Sequence, residues 1–221
     1  MARNESFDIA GPAGRLEAIL MHPDAEPVGA AVVCHAHPLQ GGIMHFKVVF
    51  RAAKALQRQG VAALRFNFRG VGSSEGAHDH GRGERDDVRV ALDELERRFP
   101  GLPLVVGGFS FGSTMALRVS ASDPRPRAAF ALGFPAGMIV DPSYLESIHV
   151  PRLFVQGERD AIGPPDLLRA VVERLPGPRK LVVIEGADHF FTGRLEALEE
   201  TVASWAAERP WSAAGCQGRR R

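Results

Sequence analysis

The apolar run Leu104-Val105-Val106 leads straight into Gly108-Phe109-Ser110-Phe111-Gly112, and Thr114-Met115-Ala116-Leu117 leads out with helical character. A strand that turns this sharply into a helix leaves its middle residue on a strained corner. The side chain there stands clear of the backbone at the carboxyl edge of a sheet. The positions two before and two after the corner are crowded, so both require glycine. The pattern commits this part of the chain to a strand–turn–helix unit and singles out Ser110 as a candidate attacking group. A second copy, Gly72-Ser73-Ser74-Glu75-Gly76, lacks that context. No strand runs directly into it, and Ala77-His78-Asp79-His80-Gly81 after it does not start a helix, so it reads as a glycine-rich loop.

The rest of the chain repeats the strand–helix theme. Phe7 to Ile9 and Leu16 to Met21 flank Gly11-Pro12-Ala13-Gly14 as a hairpin. Val28 to Cys34 is an uninterrupted apolar run, as expected for a strand covered on both faces. A helix over Val48 to Gln59 and a strand over Val61 to Phe66 follow. Asp86 to Phe99 places Val88, Leu92, Leu95 and Phe99 at helical spacing. After the corner helix, Phe111 to Ser122, strands are expected at Ala128 to Leu132, Leu153 to Gln156 and Leu181 to Ile184. Helices are expected at Pro164 to Leu175 and Leu195 to Ala207. Such alternation implies an α/β fold: a mainly parallel twisted sheet of about seven or eight strands, with an N-terminal antiparallel hairpin and helices on both faces. One domain over residues 1–208 is expected, with 209–221 as a flexible tail. Gly133 to Val150, where a lid could be inserted, is too short for a helical cap domain, because domains start near ~50 residues.

Composition removes several function classes. Among 221 residues the net charge is +1, and no domain-sized basic or acidic block stands out. Nucleic acid and an anionic membrane are therefore not expected as partners. No stretch of 18 apolar residues is present, and Met1 to Ser6 lacks the apolar core of a signal peptide. Cys34 falls in an apolar strand and Cys216 near the end, so a disulfide is not expected and a reducing, cytoplasmic setting fits. The expected state is a monomer or homodimer.

A serine hydroxyl needs a base to take its proton and a third group to orient that base. In a strand-loop architecture of this kind the acid and then the histidine follow the serine in chain order, each just past a later strand. Asp160 lies in Gly157-Glu158-Arg159-Asp160, after Leu153 to Gln156. His189 lies in Gly186-Ala187-Asp188-His189-Phe190-Phe191, after Leu181 to Ile184. Glu158 and Asp188 are rival acids, although Asp188 directly precedes the histidine and is badly placed to reach its ring.

Stabilising an oxyanion requires two backbone N–H groups. Phe111, at the amino end of its helix, is one candidate. The other is sought in His35-Ala36-His37-Pro38-Leu39-Gln40-Gly41-Gly42, where Leu39 is favoured over Gln40 and His37, and Pro38 has no N–H. Phe134, Met138 and Phe190 are the expected substrate contacts, with Phe109 the best candidate for core. Arg69 is expected to pair with Glu84 or Asp87 and lock a loop near the site. His35-x-His37 and the pair His78 and His80 have no convincing third ligand for zinc, so no metal and no cofactor are expected.

The order of Ser110, Asp160 and His189 resembles the α/β-hydrolase superfamily. Three runs narrow the likeness: Cys34 to Gly42, Leu64 to Gly76 (LRFNFRGVGSSEG) and Gly81 to Asp87 (GRGERDD). They resemble small, cap-less cytosolic serine hydrolases related to dienelactone hydrolases and to prolyl-oligopeptidase-like catalytic domains. The likeness runs from about Phe7 to Ala207. One departure is His35-Ala36-His37-Pro38, where members of the group often carry His-Pro-His-Pro. The resemblance implies an esterase-like serine hydrolase acting on small ester or thioester substrates, with Ser110, Asp160 and His189 at the triad positions. Alternative expectations are a peptidase or amidase, a lactone hydrolase, or a non-catalytic ligand-binding relative.

Overall fold

A computed structural model describes residues 3–212. One eight-stranded sheet runs through it, in the order β1-β2-β4-β3-β5-β6-β7-β8. Strands β1 (Asn4–Gly11) and β2 (Gly14–Met21) form the antiparallel hairpin, and β2 pairs antiparallel with β4 (Val61–Phe66). All other pairings are parallel, through β3 (Gly29–Cys34), β5 (Leu104–Phe109), β6 (Pro126–Leu132), β7 (Arg152–Gly157) and β8 (Arg179–Ile184). Every residue of β3, β4, β5 and β7 is buried, which explains why these strands lack polar alternation.

Two apolar cores lie on opposite faces of the sheet. Helices α1 (Lys47–Arg58) and α5 (Leu195–Ala207) cover one. Helices α2 (Arg82–Arg98), α3 (Phe111–Ser122) and α4 (Pro165–Val172) cover the other. The path runs outward from β3 through β4, then returns to β5 on the other side of β3. The carboxyl ends of β3 and β5 therefore flank the reversal of strand order, where a crevice opens in sheets of this type. The segment between β6 and β7 contains only two short 3₁₀ turns, Ala136–Met138 and Ser143–Ser147, and makes no cap domain.

Most elements lie where the residue pattern places them, with α3 and α5 matching at both ends. Helix α2 starts at Arg82 instead of Asp86 because side chains supply its missing hydrogen bonds. Asp79 accepts the Gly83 N–H at 3.0 Å, and Glu84 accepts those of Asp79 and Gly81, both at 2.8 Å. Helix α4 stops at Val172, short of the expected Leu175. The apolar period continues past the helix because Leu175 is still buried in the core. No helix among the described residues is long and apolar enough to cross a membrane.

Past the expected domain end at residue 208, one side chain still packs on the core. Trp211 is 4% exposed and packs edge-on against Trp205 with ring centroids 6.0 Å apart. The pattern of small and charged residues hid this one aromatic anchor. Packing therefore continues through at least residue 211, and the rest of the expected tail 209–221, residues 213–221 with Cys216, lies outside the described residues. If Trp211 belongs to the core, Trp211→Ala should cost about 3 kcal/mol or more, read from urea denaturation midpoints. A loss below about 0.5 kcal/mol, the usual range for a surface substitution, would place the domain boundary before it.

Candidate active site

Ser110 sits between β5 and α3 with φ 53° and ψ −119°, a left-handed conformation costly for a residue with a Cβ. Its neighbours explain why the corner holds. A Cβ on Gly112 would lie 2.3 Å from the carbonyl oxygen of His35, and one on Gly108 would lie 2.6 Å from that of Cys34. The end of β3 thus presses directly on the corner, and only glycine at both positions admits the contact. The Ser110 N–H donates to the Leu132 carbonyl at 2.9 Å, which ties the corner to β6.

Two loops at the same sheet edge bring their side chains to Ser110. His189 Nε2 lies 2.9 Å from Ser110 Oγ, and His189 Nδ1 lies 2.8 Å from Asp160 Oδ2. An ionised carboxylate can only accept, so Nδ1 carries the imidazole proton and Nε2 is free to accept from the serine hydroxyl. Asp160 is buried and fully engaged: Oδ1 accepts the N–H groups of Ile162 (2.9 Å) and Gly163 (2.8 Å), and Oδ2 accepts from Gln156 Nε2 at 2.6 Å. The rival acids are occupied elsewhere. Glu158 is exposed and accepts the Gly186 N–H, while Asp188 accepts the N–H groups of Phe190 and Thr192 and so shapes the histidine loop. These backbone bonds hold the Asp188 carboxyl below its usual range.

Gln156 was missed by the sequence reasoning. It is wholly buried at the end of β7, where its amide oxygen accepts the Phe134 N–H at 2.9 Å and its amide nitrogen donates to Asp160 and Gly163. The only sequence signal was a polar residue closing the apolar run Leu153-Phe154-Val155.

The loop after β3 is pinned by residues from the end of β4. Met44 N–H donates to Asn67 Oδ1 at 2.8 Å, and Arg65 Nη1 donates to the Met44 carbonyl at 2.7 Å. His35 is fully buried; its Nδ1 faces the Ala36 carbonyl at 2.7 Å and its Nε2 accepts the Phe68 N–H at 3.0 Å. Burial pushes the His35 pKa down to about 4, so the ring is neutral near pH 7 with its proton on Nδ1. Arg69, expected to pair with an acid of α2, makes a bidentate contact with Asp87, with 2.6 Å between Nη2 and Oδ1.

Within this loop the expectation for Leu39 is corrected. Its N–H is already donated to His37 Nδ1 at 3.2 Å, and the residue is 72% exposed. Gln40 N–H is likewise given to the His37 carbonyl at 3.0 Å. Among the described residues no turn or loop hydrogen bond takes the His37 N–H, and Phe111, as the first residue of α3, carries one of the helix-end N–H groups that have no intrahelical acceptor. A short 3₁₀ turn over Pro38–Gln40 consumes the two amides that sequence reasoning ranked alongside His37.

Ser110 and His189 open into a cavity of about 250 Å³. Phe111, Met138 and Phe190 line it, joined by Phe46, Ile139 and Ile162, which the sequence does not single out. Phe109 lines it too, although it is buried and was expected only as core. Phe134 is a correction: it is 1% exposed and packs edge-on against Phe154 inside the core, because the chain turns at Gly133 and directs it beneath the sheet edge. Phe46 stacks on Phe109 at 5.5 Å, and Phe190 packs against both, making an aromatic wall beside the His189 ring. No Asp, Glu, Lys or Arg lines the cavity. His37 also lines the cavity, and its ring packs on His78, which in turn packs on His80, with ring centroids 4.9 and 5.2 Å apart. Among the described residues no group of three or more His, Cys, Asp or Glu is arranged to hold a metal ion.

Comparison with known proteins places this geometry in context. A family model described as an alpha/beta hydrolase domain matches residues 29–209. An uncharacterized protein of Rickettsia prowazekii is 35% identical over 200 residues, covering 87% of this chain and 84% of its own length. An alpha-beta serine hydrolase homologue from Coxiella burnetii superimposes with a TM-score of 0.86 at 36% identity, over 90% of this chain and 96% of that one. A serine hydrolase without a lid from Xanthomonas campestris gives a TM-score of 0.86 at 33% identity, over 96% of both chains.

The buried neutral His35 makes stability depend on pH. Its folded pKa lies below the ordinary 6.5, so the unfolded chain binds the proton more readily. The contribution is fully present above pH 6.5 and is lost as the pH falls toward 4, by at most about 3 kcal/mol. Urea midpoints of the parent should fall over this window, and those of His35→Asn should fall less. An NMR titration should show the His35 ring unprotonated at pH 5.5; a ring that protonates near pH 6.5 would refute the assignment.

Proposed function

The chain belongs to the alpha/beta hydrolase family, and we propose that it is a carboxylesterase-like serine hydrolase of small, uncharged esters or thioesters. The observation carrying this reading is the hydrogen-bonded series Ser110–His189–Asp160 opening on an apolar cavity without charged side chains. A cavity of this kind desolvates a neutral acyl or alkyl group well, whereas an anionic substrate would find no cation there. Ester cleavage is also favoured over amide cleavage by the absence of charged side chains from the cavity lining that would fix a peptide.

In this mechanism His189 Nε2 takes the Ser110 proton as Oγ attacks the carbonyl carbon. Asp160 holds the ring with Nδ1–H directed at Oδ2 and stabilises the imidazolium that forms. Negative charge develops on the former carbonyl oxygen, where the N–H groups of Phe111 and His37 serve as donors. The Phe111 amide has the further advantage of standing at the N-terminus of α3, where the helix dipole favours an anion. His189 then gives its proton to the departing alkoxide, leaving the acyl group on Ser110. Water, activated by the same imidazole, releases the acid.

Ser110→Ala should lose ~10³-fold or more in kcat on p-nitrophenyl butyrate, and Asp160→Asn about 10⁴-fold. A fluorophosphonate should label the parent at Ser110 by mass spectrometry. A Ser110→Ala protein as active as its parent would end the serine hydrolase reading.

A further inference from the structure

Besides Ser110 and His189, three polar side chains line the cavity: His37, Gln40 and Thr114. Gln40 is exposed to solvent. Thr114, 5% exposed, has an Oγ1 with no partner among the described residues. His37 is the most constrained of the three. Its Nδ1 accepts the Leu39 N–H, so the neutral ring must carry its proton on Nε2. Among the described residues that Nε2 has no hydrogen-bond partner. The ring stands 5.0 Å from the Phe111 ring, beside the residue that follows Ser110. Burial, with the neighbouring His78, holds the His37 pKa below its ordinary value, so the group is an uncharged donor near neutral pH.

The apolar part of the lining, Phe46, Phe109 and Phe190 with Ile139 and Ile162, offers no hydrogen bond from its side chains. The lining is thus of two kinds: most of it suits hydrocarbon, while His37 adds an imidazole able to donate through Nε2. An analogue that leaves this donor buried and unpaired would forfeit a hydrogen bond, the usual origin of polar discrimination in a site.

We propose that the His37 side chain is a specificity-determining donor, hydrogen-bonding through Nε2–H to a neutral oxygen acceptor (ether, keto or hydroxyl) that the substrate carries close to the scissile ester. This rests on the hydrolase reading above. The substrate class that follows is an ester with an apolar group on one side and an uncharged oxygen function near the reacting carbonyl.

The test uses matched ester pairs in which one methylene becomes an ether oxygen. One pair differs in the acyl group (p-nitrophenyl butyrate and methoxyacetate), the other in the alcohol (butyl and 2-methoxyethyl butyrate). Intrinsic reactivity cancels when the kcat/KM ratio of a pair is compared between parent and variant. His37→Asn keeps an acceptor for the Leu39 N–H and removes the Nε2 donor. His37→Gln keeps an N–H near the Nε2 position. The ether-to-methylene ratio should fall about 3- to 10-fold in His37→Asn for at least one pair, corresponding to one neutral hydrogen bond. In His37→Gln it should stay near the parent value. Unchanged ratios in both pairs would overturn the assignment, and so would equal losses for both members of each pair, which indicate a loop defect. Failure of Ser110→Ala to lose activity would instead remove the hydrolase reading itself.

Discussion

Contact between the end of β3 and the corner at Ser110 is the constraint on which the site depends. The carbonyls of Cys34 and His35 lie where a Cβ on Gly108 or Gly112 would have to stand. Two central parallel strands can approach this closely only because those side chains are missing. The approach forces Ser110 into a left-handed conformation, and surrounding contacts with β3 and β6 supply the restraint that keeps it there. Strain at the serine and proximity of the β3 loop are therefore one structural fact. The same squeeze brings His37 and Phe111 to the wall of one cavity.

Around this corner, order is imposed by buried polar side chains acting on loop backbone. Asp160 is held by two backbone amides and by Gln156, which also bridges to the loop after β6. His35, Asn67 and Arg65 perform the corresponding task for the β3 loop. Each buried donor or acceptor lost here would leave its partner unsatisfied away from water, which costs more than the bond itself contributes. Such a lattice lets irregular segments at a sheet edge hold side chains to within hydrogen-bond tolerance without a cap domain above them.

Local signals in the sequence carry much of this arrangement. The flanks of the glycine–serine pentapeptide distinguished Ser110 from the copy at Ser74, which the fold uses structurally, its Oγ donating to the Asn67 carbonyl. Chain order and strand ends point to Asp160 and His189, whose side chains the fold joins to Ser110 by hydrogen bonds. What failed had a common character. Leu39 was chosen from its place in a loop, but a tight turn spends its amide on His37. Phe134 lies on a loop at the site edge of the sheet, but the bend at Gly133 turns it into the core. Gln156 and Trp211 each sat in a segment whose average character concealed a single decisive residue.

By itself the sequence determined the alternation of strands and helices, the position of the strained corner and the order in which a serine, a carboxylate and an imidazole reach one sheet edge. These are consequences of short-range periodicity and backbone sterics, which a few neighbouring residues express. Only the tertiary structure decided which loop amides remain free, which aromatic rings face the cavity and which tautomer His37 adopts. Those outcomes depend on hydrogen bonds and contacts between segments far apart in the chain, and no local pattern records how a loop divides its donors between itself and the space it encloses.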